Sequence, residues 1–296
     1  MLEWLSSKFA MLVAVTIMIS SVLGFFKIQF ENFETQELQN IADTISSTVN
    51  TVSSSASEFK LRITFNLSRS GIKLPSEIGG RNYKIEIAPN LVIVTCDNVV
   101  KVSTFAKSIC LWNPQELEYI TAERLEAVNS KIKSISCRSH EDFFIANRAI
   151  ELPEGSKYLT FVYLERSELL QKEANMLSNE INDFVKTTLN ASTFNIKKEF
   201  VAPNQISFYR GILIMNGQGL ELPGFINCDY LWNPAQNNIS NRTTWEYLNI
   251  TDRMLGSGFE LNQDESFYVE RRLLEITDVA LDLHTNKTKL FTFLYM

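Results

Sequence analysis

From Phe9 to Phe26 the chain reads FAMLVAVTIMISSVLGFF, a run without a single charge. A helix that is apolar on every side needs either a protein core or lipid around it. At about 1.5 Å per residue this run spans roughly 27 Å, close to the hydrocarbon thickness of a bilayer. The flanks set its direction: Lys8 precedes the run, whereas Lys27 is soon followed by Glu31, Glu34 and Glu37. By the positive-inside rule, residues 1–8 are expected as a cytoplasmic tail, 9–26 as the membrane helix of a single-pass anchor, and the rest as an extracytoplasmic body. A cleaved signal peptide ending ahead of Phe25 is the competing arrangement, but the apolar run exceeds the usual signal core and lacks a basic cluster before it.

The whole chain is 45% apolar, enough for the body to build real cores. A net charge of −6 and a pI near 5.2 argue against a nucleic-acid partner. The lipid bilayer is the first expected partner, followed by envelope proteins or further copies of the chain. Cys96, Cys110, Cys137 and Cys228 all lie on the expected exported side and are even in number, so they are disulfide candidates. Their spacing does not fit zinc, and no cofactor is expected. Sequons at Asn66, Asn190, Asn238, Asn241, Asn249 and Asn286 are glycosylation candidates for an external protein.

Beyond the membrane run, Leu38, Ile41, Ile45, Val49, Val52 and Ala56 keep a helical spacing, so the anchor is expected to continue as an amphipathic helix. Its other face is mostly Ser and Thr and needs a surface to pack on. Phe59 to Leu67 alternates apolar with polar, as do Tyr83, Ile85 and Ile87, and Leu91–Val94 is a short apolar strand. Together they predict an antiparallel meander laid against the helix. Further along, the periodicity predicts helices over 115–135 and 165–189, and strands over 158–164, 206–215, 273–283 and 290–296. The last two are joined by a turn at 284–287. The expected class is α+β.

Two stretches look alike. Ile41, Ile45 and Val49 match Leu177, Ile181 and Val185, Phe59 matches Phe194, and LWNP occurs at both 111–114 and 231–234. The offset falls from about 136 to 120 between helix and tetrapeptide, as if one copy lacked some fifteen residues. Two related helix-plus-sheet modules are therefore expected, 27–160 and 161–296. Trp112 and Trp232 of the two LWNP motifs read as buried plugs in preference to exposed sugar-binding rings.

The long half-membrane, half-amphipathic helix followed by LPSEIGGRNYKIEIAPNLVIV (Leu74 to Val94) resembles archaeal type IV pilin-like envelope proteins over about residues 1–100. That resemblance implies an anchored body and, in the filament-forming case, helices that bundle into a fibre. The basic-glycine processing site of such proteins is absent, since Phe9 follows Lys8.

Catalytic patterns are sparse. Ser139-His140-Glu141-Asp142 has hydrolase residue types, but neighbours in sequence cannot converge as a triad must. Gly217-Gln218-Gly219 lacks the third glycine of a dinucleotide loop, and Glu151, Asp264 and Glu265 are carboxylates without a defined pairing. The expected function is a non-enzymatic, membrane-anchored structural or interaction role at the envelope. The alternatives are a pilin-like filament subunit and an extracytoplasmic ligand-binding or sensor domain, the latter requiring a concave pocket.

Overall fold

The computed structural model describes residues 2–114, 120–152, 155–187, 195–239, 242–277 and 287–296. It opens with one continuous helix, α1 (Leu2–Ser53). The body contains four four-stranded sheets among the described residues, most pairings antiparallel, giving an α+β protein.

In the first half follow β1 (Phe59–Thr64), β2 (Ile72–Lys73), β3 (Lys84–Ala88), β4 (Leu91–Cys96), β5 (Val99–Thr104), α2 (Ala122–Lys131), β6 (Ile135–Arg138), β7 (Phe143–Leu152) and β8 (Gly155–Leu164). The second half has α3 (Ser167–Lys186), β9 (Asn195–Val201), β10 (Gln205–Tyr209), β11 (Ile212–Gly217), β12 (Leu220–Phe225), β13 (Arg242–Thr244), α4 (Trp245–Leu255), β14 (Phe259–Leu261), β15 (Ser266–Thr277) and β16 (Lys287–Tyr295). Strand β8 crosses the expected 160/161 boundary, so the seam between halves falls after Leu164.

The two halves share one strand plan. Sheet order β5-β4-β3-β6 in the first is matched by β12-β11-β10-β14 in the second, and β1-β7-β8 by β9-β15-β16. The register agrees as well as the order. Leu91 follows the β3–β4 turn as Ile212 follows the β10–β11 turn, and Val99 follows the β4–β5 turn as Leu220 follows the β11–β12 turn, both pairs 121 positions apart. Both LWNP segments dock beside the same strand of their module. Cys110 N–H donates to Thr160 O at 2.8 Å, and Tyr230 N–H to Thr292 O at 3.1 Å. Trp112 then meets Phe161 edge-on at 4.9 Å and 78°, while Trp232 meets Phe293 at 5.0 Å and 69°. Both indoles are buried.

The missing residues lie between β1 and β3. Nineteen positions (65–83) separate those strands, whereas β9 and β10 are joined by Ala202, Pro203 and Asn204. Through the β7 and β15 pairings Ile63 corresponds to Phe200, an offset of 137, two residues from the 135 that a Phe59–Phe194 match implies. Phe194 itself lies outside the described residues.

The helical stripe performs as its spacing predicts. Leu38, Ile41, Ile45, Val49 and Val52 are all buried in the first core, each worth about 1.5–3 kcal/mol of apolar burial, while Ala56 lies past the helix end. The Ser/Thr-rich side is tied down too: Ser46 Oγ donates to Thr104 O at 2.6 Å, and Asn50 Oδ1 accepts from Ala106 N at 2.7 Å. Helix α3 plays the corresponding part over β11 and β12, burying Leu170, Ala174, Leu177 and Ile181.

Four expectations are corrected in detail. The meander is β3-β4-β5, whereas β1 belongs to the other sheet, beside β7. Strand β1 stops at Thr64 because Asn66 Oδ1 accepts from Ser68 N at 3.0 Å in a tight turn, leaving Leu67 exposed. The helix expected over 115–135 is the ten-residue α2, capped by Thr121 and ending before Ile135, which is in β6; 115–119 lie outside the described residues. The run 206–215 is a hairpin whose turn, Arg210 (φ 45°) and Gly211 (φ 75°), has the positive φ pair of a type I′ turn. Residues 188–189, 278–283 and most of the 284–287 turn lie outside the described residues.

Candidate functional site

The most exposed apolar surface is the first half of α1. From Met11 to Phe33 large apolar side chains such as Leu12, Ile17, Met18, Leu23 and Phe26 face outward on every side of the helix. Two of its hydroxyls are satisfied within the helix: Thr16 Oγ1 donates to Leu12 O at 2.9 Å and Ser21 Oγ to Ile17 O at 2.8 Å. Among the described residues this is the one helix long and apolar enough to cross a membrane. Where it meets the body, Arg81 pairs with Glu34 of α1 and, at 2.5 Å, with Asp97 of the β4–β5 turn. Gly79 (φ 57°) lets the 79–80 turn approach Glu34, since a Cβ there would stand 2.3 Å from its carboxylate.

The candidate catalytic residues do not converge. Ser139 is buried, with its hydroxyl 3.4 Å from Asn82 Oδ1; His140 is exposed; Glu141 pairs with Arg166 at 2.6 Å. Asp142 points elsewhere, accepting from Thr64 Oγ1 at 3.0 Å and from Arg69 at 2.8 Å. Arg62 and Arg69 both also reach Glu165, so the two arginines and two carboxylates form one compensated network clamping the loop after β1 onto β7 and β8. Glu151 stands exposed near the tip of the β7–β8 hairpin. Asp264 (φ 66°) lies in the turn before β15, and Glu265 accepts from the Asn262 backbone and side-chain amides at 2.7 and 3.0 Å, which holds its carboxyl below the usual range. Gly217-Gln218-Gly219 is the β11–β12 turn.

That turn separates two open clefts. One, of about 820 Å³, is lined by Arg69, Arg138, Glu141, Glu165 and Arg166, whose charges are largely paired with one another. The other, of about 940 Å³, runs along residues 130–135 and 216–221. Neither has a Phe, Tyr or Trp in its lining. Among the described residues no group of three or more His, Cys, Asp or Glu is placed to hold a metal ion.

The expected disulfides are absent: all four cysteines are free thiols. Cys96 in β4 and Cys137 in β6 have β3 between them, about two strand spacings or 10 Å, beyond disulfide reach. Burial pushes the Cys110 thiol up to about 11 and Cys228 to about 12, and raises Cys137 further, so these thiols stay protonated. Of the sequons, Asn66, Asn238 and Asn249 are exposed, whereas Asn190, Asn241 and Asn286 lie outside the described residues.

Sequence reasoning missed the surfaces by which the halves meet. Arg124 of α2 donates to Ile226 O at 3.0 Å, Glu123 pairs with Arg210 at 3.7 Å, and Lys131 lies 4.9 Å from the centre of the Tyr209 ring. Trp112 also touches Phe225 of β12, ring centres 5.7 Å apart. The first module thereby covers the face of the β12-β11-β10-β14 sheet opposite α3, and buries Ile212 and Ile214 in its own core. The signal was present only as apolar residues at consecutive positions of β11, the mark of a strand covered on both faces.

No protein family, curated protein or solved structure matches the chain.

Proposed function

We propose that this chain is a single-pass membrane protein, its N-terminus in the cytoplasm and its two-module body outside, that serves a structural or interaction role at the cell envelope without catalysing a reaction. The observation that carries this reading is the division of α1. One continuous helix is apolar and exposed on all sides from Met11 to Phe26, then buries one stripe among sheets from Leu38 onward. A soluble protein gains nothing by exposing that surface to water, whereas a bilayer covers it. The flanking charges support the orientation. The divergence of Ser139, His140, Glu141 and Asp142, and the mutual pairing of charges in the cleft, support a role without catalysis.

Membrane fractionation with alkaline extraction, followed by protease treatment of intact cells, tests this. The chain should stay with the membrane and the body should be digested from outside. Release at alkaline pH, or a body protected in intact cells, would overturn it. A filament-subunit reading draws on the same exposed helix, and a mature N-terminus at the edge of the apolar run would favour it.

A further inference from the structure

The internal symmetry leaves one half of an interface unused at each end of the molecule. Within the chain, α2 of the first module docks on the second module's sheet at the end of its outer face, the face turned away from α3, through Arg124 on Ile226 O and Lys131 over Tyr209. The matching helix of the second module is α4. Both helices start at a threonine that caps them through its side chain, Thr121 and Thr244, and carry glutamate in the first turn, Glu123 and Glu246. Asn129 of α2 bonds Trp112 Nε1 at 3.4 Å, and Asp252 of α4 stands at the matching place near Trp232, whose Nε1 makes no hydrogen bond. All three pairs are 123 positions apart. The docking residues Arg124 and Lys131 therefore correspond to Tyr247 and Met254, with Ile250 between them on the same face of α4.

On α4 that stripe is apolar and open to solvent, with Ile250 48% and Met254 75% exposed. The sheet that would receive it is equally open. By the 121-residue register, Tyr209, Ile212, Ile214, Glu221 and Pro223 correspond to Ala88, Leu91, Ile93, Val100 and Val102. Ile212 and Ile214 are buried in the first module's core, whereas Val100 and Val102 are 54% and 46% exposed and no described residue covers them. The chemistry has changed on both sides together. Lys131 shares a hollow with Tyr209, Ile214 and Glu221, while its counterpart Met254 would meet Ala88, Ile93 and Val100. A polar contact in one place has become an apolar one in the other.

We infer that a second copy of this chain occupies the open face: α4 of one molecule docks on the β5-β4-β3 face of the next, repeating between chains the contact that α2 makes within one. This rests on the reading of the chain as an interaction protein. The contact joins unlike surfaces, and we place it head to tail, so that it propagates into a row or closes into a ring.

Linking engineered thiols in the full-length protein, solubilised in detergent and reconstituted in vesicles, tests the proposal. Lys131 over Tyr209 translates to Met254 over Ala88, so Ala88→Cys and Met254→Cys are treated with a short bismaleimide, with the unsubstituted chain as background for its four native thiols. Each single variant should stay uncoupled, a mixture of the two should give a covalent dimer, and the double variant should give a ladder. Dimers from either single variant alone would mean a two-fold contact and overturn the proposal, as would a mixture that stays uncoupled. Val102→Glu, at an exposed position, added to the double variant should cut the ladder at least about tenfold, and an undiminished ladder would likewise refute the contact. Alkaline extraction of the same samples keeps the readings apart: a chain that stays in membranes without coupling defeats the head-to-tail contact alone, and one that leaves them defeats the anchoring.

Discussion

The two modules have the same strand order, the same register and the same buried tryptophan, yet they differ in what lies on each side of the first sheet. In the first module a helix that begins as the exposed apolar segment covers the inner face of β5-β4-β3-β6, and no described helix covers the outer face. In the second the twenty-residue α3 covers the inner face and the first module covers the outer one. A shared fold thus supports unlike surroundings, because each sheet face needs only an apolar partner of the right shape and not a particular sequence. The difference can be read from β4 and β11. The former alternates half-buried and buried, while the first four residues of the latter, Ile212 to Met215, are all buried.

The largest expected effect comes from the paired tryptophans. Trp112→Ala and Trp232→Ala each remove a buried indole packed edge-on against a phenylalanine, at about 3–5 kcal/mol apiece. Trp112 also touches Phe225 across the seam, so its loss should loosen the second module as well. Hydrogen exchange in each module, with denaturant unfolding of the full chain in detergent, reads both effects. If Trp112→Ala left β12 protection untouched, the seam would be weaker than its contacts indicate.

How much of this was legible beforehand follows the same division. The apolar run, the Leu38–Val52 stripe and the LWNP pair were visible because each is local: a long apolar segment, a period of 3.6, a repeated word. The pairing of β1 with β7 joins residues some eighty apart, and the seam depends on α2 meeting β10 and β11, so neither leaves a periodic trace in the chain. The hairpin at Arg210-Gly211 was hidden because arginine is a poor turn signal and the flanking residues are continuously apolar. The candidate chemistry was legible mainly as an absence of convergence. His140 and Asp142 are kept apart because Ser139 and His140 form the turn after β6, which leaves the imidazole in solvent, while Thr64 and Arg69 hold Asp142 just before β7.

An intermediate effect distinguishes how closely the helices sit. Gly224 of β12 faces α3 so closely that a Cβ would stand 2.9 Å from Ala174 O and 3.1 Å from Ser178. The register places Ser103 at the same position in β5, where α1 leaves room for a hydroxymethyl group. Gly224→Ser should therefore cost about 1–3 kcal/mol by pushing α3 outward, while Ser103→Gly should cost about 1 kcal/mol or less, chiefly from backbone freedom. Urea midpoints of the two variants check this. Equal losses would mean that both helices ride at the same height and that the comparison has been drawn too finely.

The caps should show likeness where the glycine shows difference. Thr121 accepts from Arg124 N at 3.3 Å and Thr244 from Tyr247 N at 3.1 Å. Replacing either by alanine should cost about 1 kcal/mol, the usual value of a lost N-cap, and the two losses should agree within about 0.5 kcal/mol. A much larger loss at Thr121 would show that α2 is held by the seam and that its cap transmits strain to the second module.

The smallest effect concerns Asn129 and Asp252, which face the two tryptophans from equivalent places. Burial raises the Asp252 carboxyl above its ordinary value, opposed by the Trp232 indole and by Arg210. An acid whose folded pKa is raised binds its proton more tightly in the folded state, so its ionisation works against folding. The penalty is absent below the ordinary carboxyl range, develops as pH rises from there through the raised value, and stays constant above it. Asp252→Asn copies the first module's solution and removes that penalty. The gain should be no more than about a few tenths of a kcal/mol, because the group is only partly buried and solvent screens it. It should appear as a gap between variant and parent unfolding midpoints that is wider at pH 7 than at pH 3. A gap that narrowed toward neutral pH would mean that the carboxylate, once charged, is held by the indole and Arg210 more strongly than burial disfavours it, and that the second module uses a charge where the first uses an amide.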